Sequence, residues 1–127
     1  MRVLIDTNAY RDFSEGRPHM LDMMQRALSI HVPFVTLAEL RSGFACGTLS
    51  RKNEAVMTKF LNSERVRVLY PSEATTHIYG RVYSQLRKQG TPIPSNDIWI
   101  AALALQHDLL LVTRDKHFDH LPQLARG

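Results

Sequence analysis

A short apolar run near the start of the chain, Val3-Leu4-Ile5, ends in an acidic residue, Asp6, and this junction strongly constrains the fold. Three consecutive aliphatic side chains predict a strand buried on both faces, as at the centre of a parallel sheet. In open α/β sheets the binding crevice lies outside the carboxyl ends of the strands, so Asp6 would face a site. Asp is also a favoured helix N-cap residue. The junction alone is compatible with either role.

Three further strands are predicted at residues 32–36, 65–70 and 108–112, with helical segments between them, including one over about residues 19–31. Strands that alternate with helices predict an α/β protein with a mainly parallel sheet. Residues 65–70 begin by alternating polar and apolar side chains, which favours a place near the sheet edge. At 127 residues, a single domain over residues 1–127 is the expected organisation.

Two more acidic residues follow predicted strands. Glu39 lies in the first turn of the helix after residues 32–36, and Asp115 follows residues 108–112. Glu39 also fits a capping box with Thr36, in which each side chain satisfies an amide of the other residue. A structural role for Glu39 is therefore the alternative to a place in a site.

A fourth acidic residue, Asp97, begins the most apolar segment of the chain. Residues 98–105 are apolar nearly all round, which predicts a buried helix. Asp97 would then be a carboxylate at the mouth of the core. The helix dipole stabilises such an acid by about 0.3–1 kcal/mol, so a structural role is also open to it.

Four carboxylates at one end of a parallel sheet would repel one another and raise each other's pKa. A hard divalent cation would neutralise them, since Mg²⁺ and Mn²⁺ prefer oxygen ligands. Such a site can activate water and stabilise the leaving oxygen of a phosphodiester. Neighbouring polar side chains would orient the carboxylates by hydrogen bonds. They are Thr7, Asn8, Ser95, Asn96 and Thr113.

Four motifs together resemble the PIN-domain ribonucleases, and more narrowly the VapC-type toxins of bacterial toxin–antitoxin pairs. They are Asp6-Thr7-Asn8, Glu39-Leu40, Asp97-x-x-Ile100-Ala101-Ala102 and Val112-Thr113-Arg114-Asp115, in the family's order across essentially the whole chain. The resemblance implies a PIN-like three-layer α/β fold, with four or five mainly parallel strands and helices on both faces. It also implies Mg²⁺- or Mn²⁺-dependent endoribonuclease activity, an inhibitory antitoxin, a homodimer, and a toxin–antitoxin complex that binds DNA through the antitoxin.

Carried over residue by residue, the resemblance implies four catalytic and metal-binding acids: Asp6, Glu39, Asp97 and Asp115. Asp115 matches a position where the family accepts Asp or Asn, and Asp119 is an alternative direct ligand. Asn8 and Thr113 match supporting polar positions. The chain departs from the family after Pro122, where only a very short further edge strand would fit.

The bulk properties fit these expectations without specifying them. A net charge of +4 and a pI near 9.6 suit contact with a polyanion, although many basic proteins bind none. The lone cysteine, Cys46, cannot form an internal disulfide, which fits a reducing compartment and predicts a cytoplasmic location. No apolar run approaches the roughly 20 residues that cross a bilayer, so no membrane contact is expected.

Three alternatives compete with a metal-dependent ribonuclease. One is an RNA-binding or regulatory module on the same fold without catalysis. Another is a haloacid-dehalogenase-like phosphatase, but Asn8 stands where that class needs a second aspartate as acid. The third is a zinc enzyme built on His117 and His120, for which two surface histidines are the commoner explanation.

Overall fold

The computed structural model describes residues 1–127, and its centre is a four-stranded sheet in which every neighbouring pair is parallel. In the sheet order β3-β2-β1-β4 the strands are β1 (Arg2–Ile5), β2 (Ser29–Pro33), β3 (Val66–Leu69) and β4 (Leu110–Val112). β1 is central and residues 3–5 are fully buried, as the apolar run predicted. β3 lies at the edge, as its alternating pattern predicted.

Helices cover both faces of the sheet. They are α1 (Thr7–Ser14), α2 (Pro18–Arg26), α3 (Phe34–Cys46), α4 (Ser50–Leu61), α5 (Glu73–Gln89) and α6 (Ser95–Gln106), followed by a 3₁₀ turn (Lys116–His120). α1 to α4 contribute to one core, where Val3 and Ile5 meet Met24 and Met57. α5, α6 and the 3₁₀ turn form the other core around Leu4. The three-layer arrangement is therefore confirmed, and α6 is buried as predicted.

The parallel register brings the strand exits to one edge of the sheet. Ile5 pairs with Val112, so β1 and β4 end side by side. β2 ends at Pro33, and α3 starts at the next residue without a loop. Residues that follow these strands therefore meet at the same edge.

The start of the second strand was predicted three residues too late. The preceding helix was predicted to extend to residue 31, whereas α2 ends at Arg26. The strand is Ser29–Pro33 and not residues 32–36, because the chain turns into α3 directly after Pro33, whose ring supplies no amide donor for further pairing. The capping box of Thr36 with Glu39 is absent, since α3 begins earlier, at Phe34. Thr36 is instead fully buried, and its hydroxyl donates to the carbonyl of Ile5.

The end of the chain adds one bridge to the outer side of β4. The Leu111 amide donates to the Ala125 carbonyl at 2.8 Å, and the Gly127 amide donates to the Leu111 carbonyl at 3.0 Å. This is a single parallel bridge to Arg126, in keeping with the very short edge strand that the sequence allowed. None of the helices combines the length and the apolar character needed to cross a membrane.

Phe118 anchors the 3₁₀ turn in the core, and its removal should destabilise the protein strongly. The side chain is almost fully buried, so Phe118→Ala should lower the free energy of unfolding by about 3–5 kcal/mol. Urea unfolding measures the change. Tyr70→Ala, at a position 68% exposed, is the matched control and should shift stability by no more than about 0.5 kcal/mol. Similar losses for both variants would contradict this packing.

His31 gives the fold a pH dependence. It is buried in β2, where its Nε2 lies 2.9 Å from the Ser29 hydroxyl and its Nδ1 has no partner. Burial, together with the positive charges of Arg2, His107 and Arg67, lowers the pKa of His31 below 6.5. As the pH falls below 6.5, His31 therefore binds a proton in the unfolded chain before it does so in the folded protein. The free energy of unfolding falls from pH 6.5 down to the pKa of His31 in the folded protein.

We expect His31→Gln, which cannot titrate, to flatten the fall in unfolding free energy below pH 6.5. Urea unfolding between pH 5 and pH 8 provides the measurement. The exposed His77→Gln variant is the control and should keep the wild-type profile. An unchanged slope in His31→Gln would assign the dependence to other groups.

Candidate active site

Asp6 lies where β1 ends and uses each carboxylate oxygen for a different contact. Its Oδ1 accepts a hydrogen bond of 2.9 Å from the Ala9 amide, so the helix cap considered from the sequence is present. Its Oδ2 accepts a hydrogen bond of 2.5 Å from the Thr113 hydroxyl, which follows β4. The side chain is thereby held facing the edge where β1 and β4 end.

Thr113 links two of the acids. Besides donating to Asp6, its hydroxyl oxygen accepts a hydrogen bond of 3.0 Å from the Asp115 amide. The predicted orienting role of Thr113 thus corresponds to an actual contact. The link ties the exit of β4 to the exit of β1.

Glu39 reaches the same edge from α3. Its Oε2 accepts a hydrogen bond of 3.0 Å from the Thr7 hydroxyl, and its Oε1 accepts one of 3.2 Å from the side-chain amide of Asn96. The carboxylate therefore bridges the start of α1 and the start of α6. Since Glu39 does not cap α3, both of its oxygens accept hydrogen bonds at this edge instead.

Asp97 and Asp115 meet at the side chain of His117. The Nδ1 of His117 lies 2.7 Å from Oδ2 of Asp97 and 3.2 Å from Oδ1 of Asp115. The same Oδ1 accepts a hydrogen bond of 2.9 Å from the His117 amide. One ligand atom from each of these three residues lies within 4.8 Å of the other two.

Like charges and burial both act on Asp6. Burial raises the pKa of Asp6, the hydrogen bonds from Thr113 and Ala9 oppose this rise, and the charges of Asp115 and Glu39 add to it. Ionised Asp6 is therefore held at a cost in stability. That cost would be relieved by a nearby positive charge.

Asp97 shows the same balance on the other side of the cluster. Burial raises the pKa of Asp97, the hydrogen bond with His117 opposes the rise, and the charges of Asp115 and Glu39 add to it. Thr113 contacts both Asp6 and Asp115, His117 contacts both Asp97 and Asp115, and Glu39 binds Asn96 beside Asp97, so all four predicted acids lie at the same edge of the sheet. The hydrogen bond with Asp97 and the charge of Asp115 raise the pKa of His117.

Two predicted contributors are placed differently from the rest. Asn8 is half-buried, but its side-chain amide makes no hydrogen bond within the chain, so its supporting role stays a prediction. Asp119 forms an ion pair of 2.5 Å with Arg126 and is not in the cluster of possible ligands. His117 is exposed, as expected from the sequence, but its contact with Asp97 and Asp115 was not predicted. Its spacing of two residues from Asp115 was the available signal.

The donor set fits a divalent cation. The cluster offers carboxylate oxygens from Asp97 and Asp115 together with the imidazole nitrogen of His117. Asp6 and Glu39 add two further carboxylates at the same edge, and Thr113 joins Asp6 to Asp115 by hydrogen bonds. Hard divalent ions bind such oxygen-rich sites.

Comparison with known proteins places the chain in a family. The PIN domain model matches residues 3–124. Ribonuclease VapC1 of Haemophilus influenzae strain R2866 is 34% identical over 129 residues, covering 98% of this chain and 95% of the relative. The chain belongs to the VapC branch of the PIN-domain family. Ribonuclease VapC2 of Rickettsia felis is 27% identical with the same coverage.

Solved structures give the same family placement. The VapC-type domain aligns with a chain of VapBC-1 from nontypeable Haemophilus influenzae at a TM-score of 0.87 and 31% identity. That alignment covers 100% of this chain and 97% of the other. A DNA-bound VapBC from Salmonella typhimurium aligns at a TM-score of 0.88 and 23% identity, covering 100% and 97%, and supports the fold.

The electrostatics of this PIN domain predict that Asp6→Asn will not weaken the fold. Asn can still cap α1, and the substitution removes a buried charge among like charges. The pKa of Asp6 is higher in the folded protein than its ordinary value of 3.8. The free energy of unfolding of the wild type therefore falls as the pH rises from 3.8 through the pKa of Asp6 in the folded protein. With chelator present, Asp6→Asn should be at least as stable as wild type at pH 7, as measured by urea unfolding. A loss above about 1 kcal/mol would show that the carboxylate is required for folding.

Proposed function

We propose that this PIN domain is a metal-dependent endoribonuclease, the toxin component of a toxin–antitoxin pair. The observation that carries the proposal is the convergence of four carboxylates at the carboxyl edge of the sheet: Asp6, Glu39, Asp97 and Asp115. Relatives named ribonucleases, one of them 34% identical over nearly the full chain, support it.

The four acids are the proposed ligands of Mg²⁺ or Mn²⁺. When bound, such an ion would lower the pKa of an attacking water molecule. It would also stabilise the charge that develops on the phosphodiester. The protein's part is to fix the carboxylates. Thr113 and Ala9 hold Asp6, while Thr7 and Asn96 hold Glu39.

Asp97 is the proposed acceptor of the water's proton. A proton acceptor needs an oxygen that is free to reach the water. Both oxygens of Asp6 already accept hydrogen bonds. In Asp97 only Oδ2 is engaged, by His117, so Oδ1 is available.

Basic side chains beside the acids would contact the RNA backbone. Arg114, Lys116 and Arg126 line a recess of about 280 Å³ that also includes Asp115. Arg114 pairs with Asp12 and Arg126 pairs with Asp119, whereas Lys116 is exposed and forms no ion pair. Lysine and arginine next to phosphates bind by releasing counterions, which suits a chain with a net charge of +4.

The proposed partners follow from the family. The Haemophilus influenzae structure is of VapBC-1, and the Rickettsia felis VapBC2 structure is bound to a DNA fragment from their promoter. We propose a cognate antitoxin that inhibits this domain, a complex that binds DNA through the antitoxin, and a homodimer of the toxin. The cytoplasmic location stays a prediction.

RNA cleavage tests the proposed function directly. Purified protein should cut total cellular RNA into discrete fragments with Mg²⁺ or Mn²⁺ and should be inactive with chelator. Asp97→Asn should reduce the rate at least ~100-fold, since even residues behind the ligands contribute 10–100-fold. Asp22→Asn is the matched control, because Asp22 is an exposed acid paired with Arg26 on α2. It should cleave at the wild-type rate.

The other outcomes of this assay separate the alternatives. Activity that persists in chelator or in Asp97→Asn would overturn the assignment of the site. Metal-independent RNA binding without any cleavage would favour the catalytically silent RNA-binding module on the same fold.

A further inference from the structure

His117 brings a nitrogen atom into the acidic cluster. Its Nδ1 lies 2.7 Å from Asp97 Oδ2 and 3.2 Å from Asp115 Oδ1, and one ligand atom from each of the three residues lies within 4.8 Å of the other two. We infer that His117 is itself a metal ligand through Nδ1, so that the site holds a mixed nitrogen and oxygen donor set. The inference rests on the proposed function and specifies which metals the same site prefers.

The distances fit neighbouring ligands on one ion. In octahedral coordination with bonds near 2.1 Å, adjacent ligand atoms are about 3.0 Å apart and opposite ones about 4.2 Å. The separations of 2.7 and 3.2 Å lie on either side of the adjacent value. The three atoms therefore need only small shifts to coordinate one cation.

The backbone around His117 holds the imidazole in this place. The His117 amide donates to Asp115 Oδ1, and the next residue, Phe118, is almost fully buried in the core. The side chain of His117 is 47% exposed, so the imidazole lies at the surface of the cluster. His120, in the same turn, is outside the cluster.

A nitrogen ligand changes the metal preference. Imidazole suits Co²⁺, Ni²⁺ and Zn²⁺ better than Mg²⁺, which favours hard oxygen ligands and retains water. The contribution of His117 should therefore be large for Co²⁺ and small for Mg²⁺. A histidine that only oriented Asp97 would instead affect both metals alike, because both need that carboxylate.

Calorimetric titration of the full chain with Co²⁺ and with Mg²⁺ tests the inference. His117→Ala should weaken Co²⁺ binding by about 10–100-fold and Mg²⁺ binding by less than about 3-fold. His120→Ala is the matched control and should change neither. Electron spin-echo spectra of the Mn²⁺-loaded protein should show coupling to a histidine nitrogen that disappears in His117→Ala.

Each contrary result is decisive. Equal weakening of Co²⁺ and Mg²⁺ binding, unchanged Co²⁺ binding, or spectra without the nitrogen coupling would each overturn the inference. RNA cleavage with Mg²⁺ reports separately on the proposed function. If His117→Ala cleaves at the wild-type rate and Co²⁺ binding is unchanged, the ligand assignment fails while the ribonuclease assignment stands.

Discussion

The parallel pairing of β1 with β2 and β4 is the constraint on which the rest of this protein depends. It directs every strand toward one edge, where Asp6 follows β1, Asp115 lies three residues after β4, and the helices α3 and α6 add Glu39 and Asp97. Packing and charge oppose each other at this edge. Burial of β1 between two cores stabilises the sheet, while burial and the charges of Asp115 and Glu39 raise the pKa values of Asp6 and Asp97 beyond it. The hydrophobic layers thus hold an electrostatically unfavourable arrangement in place.

Much of the fold could be predicted because its central elements have unambiguous patterns. The aliphatic run of β1 and the all-round apolar character of α6 each allow one interpretation, and both were correct. The predicted α2–β2 boundary was wrong because residues 28–31 continue the spacing of a helix, although Ser29–His31 pair with β1. The capping box failed for a related reason. Thr36 is already the third residue of α3 instead of its cap, and its hydroxyl donates to the Ile5 carbonyl.

Asp6, Asp97 and Asp115 were predictable because each lies near the end of a strand or the start of a helix, and such positions are visible in the sequence. Glu39 was expected in the first turn of its helix but is the sixth residue of α3. The partners of the four acids were less predictable. Thr7 and Asn96 both bind Glu39, yet they lie 32 and 57 residues from it in the chain. His117 meets Asp97 across 20 residues, and only the path of the 3₁₀ turn brings them together. Contacts of this kind depend on where two elements dock, which local patterns do not encode.

The two edges of the sheet determine how this domain can meet other chains. An exposed strand edge is a template for pairing with a foreign strand and for aggregation. Here β3 is only four residues long and presents the exposed Arg67, while residues 125–127 cover the other side of β4. Strand addition is discouraged at both sides. The helices, whose backbone groups are paired internally, cover the rest of the sheet and offer side chains instead of a free strand edge.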